Sequence, residues 1–355
     1  MHAPSPAPRR ARTFTRASRR LIAPSLGRFN FLTCQLFTTS TLALVLGFLG
    51  LANAPAARAG TFRVATYNLE NYLDEPTATR PRAKSAAAKA VIRQSIRALN
   101  PDLIALEEMG ATNALLELRR SLRADGLDFP YWEHISGADN NIHVAVLSQF
   151  PIIARNPHTN ETFLLDGRPF RVSRGFAELT VRVRTNFNLT LLAAHLKSRR
   201  PVPGDDEAQD RLGEARVLRG IVDGLLRANP DLPLIVLGDF NDVKDAESTR
   251  TLMGRGKARL TDTRPAERNS DTPPAGGAAD EPRTITWTHY YAREDTYSRI
   301  DYILLSRALA AHWRPAESYV LNQANWGVGS DHRPIVAAFD DGAGETAPGS
   351  GPETP

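Results

Sequence analysis

Cysteine is almost missing from the 355-residue sequence, since Cys34 is the only one. Beyond this position the chain has no residue for a disulfide, a thiolate nucleophile or a cysteine-ligated zinc ion. It also lacks a Gly-x-x-x-x-Gly-Lys-Ser/Thr phosphate loop and a serine within Gly-x-Ser-x-Gly. These absences argue against P-loop nucleotide hydrolases and serine hydrolases with a nucleophile elbow.

Acidic residues and lysines are absent from residues 1–59, which hold eight arginines and Cys34. The other 36 of the 44 basic residues face 39 acidic ones, so residues 60–355 carry about −3 rather than the +5 of the whole chain. The high isoelectric point therefore belongs to the N-terminal segment, and the rest of the chain has no general excess of positive charge.

Residues 1–59 have the three parts of an export signal: an arginine-rich start, an apolar segment at Thr41–Ala52, and small residues ending at Ala57-Arg58-Ala59. We predict a secreted or periplasmic protein. The apolar segment is shorter than the roughly 20 residues of a membrane span, but an uncleaved membrane anchor stays an alternative. Ser18–Ile22, which contains Arg19-Arg20, resembles a twin-arginine signal and leaves the export route open.

Residues 60–340 alternate between strand and helix patterns and are predicted to form one catalytic domain. Helix formers with helical spacing of apolar residues predict helices over 85–98, 112–124 and 209–226. Apolar runs predict strands between them, including one over 285–289. Residues 264–283 and 341–355 are rich in proline, glycine and acidic residues and are predicted to be a flexible insertion and a disordered tail.

The central feature is the apolar run Asp231–Asp242, which ends in Gly238-Asp239-Phe240-Asn241. Since alternate residues of a strand share a face, Asp239 and Asn241 are predicted to point at one spot. Other strand-like runs also end in polar residues. By the same alternation, only one of the adjacent acids Glu107 and Glu108 is predicted to join a shared site. The full set is Asn68, Glu108, His195, Asp239, Asn241, Asp301, Asp331 and His332.

Carboxylates, amides and histidines without cysteine suit a hard cation such as Mg²⁺, with Mn²⁺ or Ca²⁺ as alternatives. Such a set is typical of metal-assisted hydrolysis of a phosphate ester, in which a histidine–aspartate pair activates water. Ser330 beside Asp331-His332 is no catalytic triad, because triad members come from separate elements.

The sequence resembles the endonuclease/exonuclease/phosphatase superfamily of metal-dependent phosphodiesterases, which includes pancreatic-type deoxyribonucleases and bacterial sphingomyelinases. The resemblance covers about residues 62–339. It rests on six motifs in the family's order: Ala65–Asn68, Ile104–Glu108, His195–Ser198, Gly238–Asn241, Arg299–Leu304 and Ser330–Pro334. It implies a four-layer α/β sandwich of two packed mixed sheets flanked by helices. The family often has glutamine where this chain has Glu107.

The resemblance also implies roles for the site residues. Asn68 and Glu108 would hold the metal with Asp331 near them, and Asp239 and Asn241 would position water and the scissile phosphate. His332, paired with Asp301, would be the general base or a charge-stabilising partner, and His195 would donate to a phosphate oxygen. Arg174 and Lys197 would contact the phosphate.

The function stays open between three classes, two of them enzymes that differ in substrate. A nucleic acid is favoured, because Lys197, Arg199 and Arg200 follow His195, while Arg168, Arg171 and Arg174 cluster near another strand and could form a cationic rim. A phospholipid head group or a sugar or inositol phosphate is the alternative, and an inactive binding module is the third. The sequence gives no sign of a protein partner, so a monomer is expected.

Overall fold

The computed structural model describes residues 60–202, 204, 206–267 and 286–341. The predicted leader, residues 1–59 with Cys34, lies outside the described residues. In chain order the elements are β1 (Thr61–Tyr72), α1 (Ala86–Leu99), β2 (Leu103–Met109), α2 (Thr112–Ala124), β3 (Tyr131–Ile135), β4 (His143–Ser148), β5 (Ile152–His158), β6 (Thr162–Leu165), β7 (Arg168–Arg171), β8 (Phe176–Arg184), β9 (Phe187–His195), α3 (Glu207–Ala228), β10 (Leu234–Asp239), α4 (Glu247–Met253), β11 (Thr261–Asp262), β12 (Ala266–Glu267), β13 (His289–Tyr291), β14 (Thr296–Ser298), β15 (Asp301–Leu305), α5 (Arg307–Ala310), β16 (Trp313–Val320), α6 (Trp326–Gly329) and β17 (Ile335–Asp340), with a short 3₁₀ turn at Gly256–Ala258.

Two large mixed sheets form the middle of the molecule. The first has the order β12-β16-β17-β1-β2-β4-β3, and the second has the order β11-β15-β10-β9-β8-β5. Within them β1 runs parallel to β2, and β9 runs parallel to β10. The ends of these parallel strands therefore meet at one edge of the sandwich.

Three apolar clusters separate four layers. One lies between the sheets and joins Val64 and Ala105 of the first sheet to Leu191 and Leu237 of the second. A second joins the first sheet to α1 and α2, and a third joins the second sheet to α3 and α4. This is the predicted four-layer α/β sandwich, and burial of these apolar faces holds its layers together.

The three predicted helices, α1, α2 and α3, begin and end within two residues of their predicted bounds, whereas the short helices α4, α5 and α6 were not predicted. In α1, Ser85 accepts a hydrogen bond from the backbone N–H of Ala88 at the N-terminus, and Asn100 closes the helix in a left-handed conformation. The helix buries Ile92 and Ile96 against the first sheet. None of the helices in the described ranges is long and apolar enough to cross a membrane.

The predicted insertion and tail are only partly described. Ala266–Glu267, inside the predicted insertion, pair with Tyr319–Val320 of β16, and the rest of that segment lies outside the described residues. Asp341, the first residue of the predicted tail, is buried and donates its backbone N–H to Gly60. The bounds predicted for the strand over 285–289 are wrong. The observed strand, β13, begins at His289, and residues 286–288 form no regular element.

Candidate active site

All eight predicted site residues lie at the same edge of the sandwich. Asn68 and Glu108 lie in the last part of β1 and β2, and His195 and Asp239 end β9 and β10. Asp301 begins β15 directly opposite Asp239, because these two strands are antiparallel. Asp331 and His332 lie in the loop before β17. The sheet topology brings the ends of these strands together, and the loop before β17 joins them there.

Asp239 is the centre of the hydrogen-bond network. One of its oxygens accepts from the Asn68 side chain at 2.9 Å, and the other accepts from the backbone N–H of Asn241 at 2.8 Å. The nearest nitrogens of His195 and His332 lie 3.6 and 3.8 Å from it. Burial raises the pKa of Asp239 to about 6, and Asp301 adds to the rise while His332 opposes it.

Asn241 does not reach this position by strand alternation. Strand β10 ends at Asp239, and Asn241 has a left-handed backbone with φ of 55°. Its side chain donates to the Leu196 carbonyl at 2.9 Å. The predicted convergence of the two residues is therefore correct, but a turn and two hydrogen bonds produce it.

His332 is held by carboxylates on several sides. Its Nδ1 lies 2.9 Å from Asp301, and its Nε2 lies 3.9 Å from Asp331. Burial disfavours the charged imidazolium, but Asp301, Asp239 and Asp331 outweigh that effect and hold the pKa of His332 well above its usual range. These surroundings favour the charged imidazolium over the neutral imidazole.

His195 has the opposite electrostatic character. Burial lowers its pKa well below the usual range, and the nearby cations Arg174, His332 and Arg80 lower it further. A neutral imidazole keeps one N–H to donate and is not repelled by its cationic neighbours. Arg174 is itself buried and donates to the Leu196 carbonyl at 3.2 Å, which places its guanidinium beside the site.

Lys197 is not brought into this cluster. Its ammonium lies 3.2 Å from Asp210 of α3, and its backbone N–H donates to Glu214. The predicted role of Lys197 as a phosphate contact stays a prediction. Arg168 and Arg171 lie on the separate β6–β7 hairpin, where Arg171 bonds Asn160.

Glu107 and Glu108 both contribute to the site, contrary to the expectation from alternation. Glu108 has a φ of 57°, which breaks the alternation, and its carboxylate accepts from the backbone N–H of Asn71. Glu107 is fully buried, and Thr66 donates to it at 2.7 Å. Burial, reinforced by Asp301 and Asp239, raises the pKa of Glu107 well above its usual range. A neutral Glu107 offers hydrogen-bonding groups like those of a glutamine.

Three residues near the site were missed by the sequence analysis. Burial raises the pKa of Glu70, and the nearby anions Asp331 and Glu108 add to the rise, while Lys84 opposes it. His289 lies 3.7 Å from Asp331, and its ring centroid is 4.6 Å from that of His332. Arg80 lies in the loop after β1, within electrostatic range of His195. Of these three residues, only Glu70 could have been predicted from the sequence. It lies two residues beyond Asn68 in β1, the spacing at which strand residues share a face.

Local backbone geometry supports the arrangement. Glu70, Asn71, Glu108 and Asn241 all adopt left-handed conformations, which cost energy in non-glycine residues and occur often at functional sites. Gly238 allows β10 to approach β9, since a Cβ there would collide with the Ala194 carbonyl. The Ser330 hydroxyl donates to the Asn68 carbonyl at 2.7 Å and accepts from the His332 N–H. Ser330 thus ties the last loop to β1.

The donor set fits a divalent cation. Potential ligand atoms lie within 4.8 Å of one another in two groups that share His332, one with Asp239 and Asp301 and one with His289 and Asp331. A protonated His332 offers no lone pair to a cation, so the ligands would come from the other members. The side chains of Asp331 and Glu70 are 41% and 44% exposed, whereas Asp239 and Asp301 are at most 2% exposed. The exposed carboxylates can therefore take a hydrated ion, with the buried pair behind them.

Comparisons with known proteins agree with this geometry. The model of the Endonuclease/Exonuclease/phosphatase family matches residues 65–332, so the chain belongs to that family. Members of the family bind divalent metals, and membership indicates a hydrolase that acts on phosphate ester bonds. A comparison with curated protein sequences gives no significant match.

Solved structures share the fold at low sequence identity. Truncated TDP2 from Caenorhabditis elegans is similar with a TM-score of 0.53 and 17% identity, covering 79% of this chain and 97% of that one. Sphingomyelinase C from Streptomyces griseocarneus gives 0.50 and 17%, covering 79% and 99%. A beta toxin variant from Staphylococcus aureus with bound magnesium ions gives 0.51 and 16%, covering 79% and 99%.

Proposed function

We propose that the chain is an exported phosphodiesterase that cuts nucleic acid with the aid of a divalent metal ion. The observation that carries the chemistry is the trio Asp239, His332 and Asp301. It sets a buried carboxylate of raised pKa beside an imidazolium held by a second carboxylate. A base and a cationic donor at one point suit the attack of water on a phosphodiester.

The residues divide the reaction between them. Asp239, oriented by Asn68 and Asn241, accepts a proton from the attacking water, whose oxygen then forms the bond to phosphorus. The bond to the leaving oxygen breaks, and that oxygen takes its proton from solvent. The His332 imidazolium faces the negative charge that develops on the phosphate.

Two further groups support the phosphate. Neutral His195 donates its N–H to a phosphate oxygen, and the buried Arg174 guanidinium supplies positive charge beside it. A raised pKa near 6 leaves Asp239 ionised at neutral pH yet basic enough to take a proton.

The metal would be held by Glu108 and Asp331, with Asn68 and the newly recognised Glu70 beside them. When bound, the ion neutralises phosphate oxygens and lowers the pKa of coordinated water. We propose Mg²⁺, because the donors are mainly oxygen atoms. Asn68 already uses its amide to orient Asp239 and to accept from the Glu70 N–H, so it also acts as a positioning residue.

Nucleic acid is the preferred substrate because cationic groups surround the site. Arg80 and Arg174 lie near His195, and Arg199 reaches toward the β13–β14 hairpin, where it bonds Ser298 at 3.2 Å. Repeated phosphates of a strand suit several such cations, whereas a single head group needs fewer. The likeness to sphingomyelinase C makes the phospholipid reading the alternative to test.

A substrate panel tests this function. We expect the purified protein with Mg²⁺ to cleave DNA or RNA and to leave sphingomyelin and inositol phosphates intact. The products are measured by gel electrophoresis and by phosphate or choline release. Turnover of sphingomyelin with no cleavage of nucleic acid would replace our reading by the lipid alternative.

Export is proposed from the leader sequence. Cleavage after Ala59 would leave a mature protein that begins at Gly60 and contains no cysteine. We expect the intact mass of protein recovered outside the cytoplasm to match residues 60–355. A membrane-bound form that still contains Cys34 would instead support the uncleaved anchor.

A further inference from the structure

The β13–β14 hairpin is fixed directly to the catalytic loop. Tyr290 donates its backbone N–H to the Asp331 carbonyl at 3.0 Å, and His289 forms an isolated bridge with His332. On the preceding residue, the Thr288 carbonyl accepts from the Arg333 N–H at 2.6 Å. The position of the hairpin is therefore set by the same loop that carries Asp331 and His332.

This hairpin carries aromatic rings that hold one another in place. Trp287 makes edge contacts with Tyr297 at 4.9 Å and with Trp326 at 5.2 Å between ring centroids. Tyr290 lies against Tyr297 at 4.6 Å with 31° between the ring planes. We call these four residues, Trp287, Tyr290, Tyr297 and Trp326, the aromatic platform.

The platform is exposed where Tyr297 lies. Tyr297 is 56% exposed, the second most exposed large hydrophobic residue in the described part of the chain after Leu164. The Arg333 guanidinium covers one face of the Trp287 ring, at 3.3 Å from the ring centroid. That face of Trp287 therefore has no room for a ligand. Exposing a large ring costs hydration free energy, and here it lies next to a catalytic loop instead of in the core.

The charges around the platform discriminate between ligands. Arg199 donates to Ser298, the neighbour of Tyr297. Arg333 lies over Trp287, but its charge is paired with Glu267 at 2.8 Å. Asp295 at the hairpin turn is engaged with the Tyr290 hydroxyl. The Arg199 cation beside the exposed ring opposes a quaternary ammonium head group, which needs unopposed aromatic faces. It favours a ligand that combines a flat ring with phosphate, as a nucleotide unit does.

We propose that the aromatic platform stacks an unpaired base of a single-stranded nucleic acid through Tyr297, while the adjoining backbone phosphate lies at the His332 site. This inference rests on the proposed function. The bases of a duplex are already stacked on one another and offer no ring face without being flipped out. The platform therefore selects single strands, overhangs or unpaired ends over continuous duplex.

Binding measurements on matched variants test the platform. A fluorescein-labelled single-stranded oligonucleotide and its duplex are titrated by anisotropy with the His332→Ala variant in excess chelator, so that cleavage is blocked. Loss of one stacked base is worth about 1–3 kcal/mol, so Tyr297→Ala should raise the Kd for the single strand roughly tenfold. The duplex Kd should stay unchanged, and Tyr297→Phe should bind as the parent does.

Tyr131→Ala is the control. Tyr131 is 37% exposed and pairs with Ser148, at the opposite end of the first sheet from Glu108. The Tyr131→Ala variant should leave the Kd values for the single strand and for the duplex unchanged. In the active background, hydrolysis of a small phosphodiester without an aromatic ring should be equal in the parent and Tyr131→Ala.

The outcomes separate this inference from the proposed function. If the parent cleaves nucleic acid but Tyr297→Ala binds the single strand normally, or weakens duplex binding equally, the platform has no stacking role. If the parent neither binds nor cleaves nucleic acid yet hydrolyses another phosphate ester, the proposed function fails, and this inference fails with it.

Discussion

Replacing His332 by alanine should lower turnover of a small phosphodiester by about 100-fold or more, which is about 2.7 kcal/mol of transition-state stabilisation. The variant loses the only cation that contacts Asp301, Asp239 and Asp331 together within the described site. The measurement is kcat under saturating metal, with circular dichroism to confirm the fold.

Asp301 should act through His332. Asp301→Asn removes the negative charge that holds the imidazolium at 2.9 Å, so it should cost nearly as much alone. The double variant should be little worse than either single one, because paired residues act as a unit. Additive losses would show that the two residues work separately.

His312→Ala is the matched control for these variants. The His312 ring packs against the Phe187 ring at 5.1 Å between centroids, and its backbone carbonyl accepts from the N–H of Asp340. Asp340 pairs with Thr61 at the far end of β1 from the site. Its replacement should leave kcat unchanged. A comparable loss of activity there would point to a general effect of histidine replacement on the fold.

The fold and the eight predicted site residues could be found in the sequence because those residues lie on strands or within a few residues of a strand. Strands with apolar runs end in a polar residue, and parallel pairing brings those ends to one edge. The alternation rule failed at Glu108 and Asn241, where left-handed backbone replaces the strand. Such turns depend on hydrogen bonds to other segments, which a local pattern does not encode.

Two of the three missed residues lie outside segments with a regular hydrophobic pattern. Arg80 lies in the loop between β1 and α1, and His289 begins a strand of only three residues. Both reach the site through tertiary contacts. The aromatic platform has the same origin, since Trp287 and Trp326 are 39 residues apart and meet only in the folded chain. Sequence analysis recovers the ends of the sheets more readily than the loops around them.

Metal removal should have the largest effect of all. We expect excess chelator to abolish hydrolysis, and Mg²⁺ or Mn²⁺ to restore it, because the neighbouring carboxylates Asp331, Glu70 and Glu108 leave negative charge for a cation to neutralise. This comparison requires metal-free protein that stays folded. Its thermal melting curve shows whether it does.

Thermal stability gives a readout that does not depend on activity. An ion bound only by the folded state stabilises it by about 2.7 kcal/mol at 100 times its Kd. Glu108→Gln keeps the shape of the side chain but removes its charge, so it should shift the metal concentration that gives half of the stabilisation upward by roughly tenfold or more. Glu247→Gln, on an exposed side chain of α4, should not shift this metal concentration.

Full activity in excess chelator would rule out the metal-assisted mechanism. Equal metal stabilisation of Glu108→Gln and the parent would instead remove Glu108 from the ligand set and leave the mechanism intact.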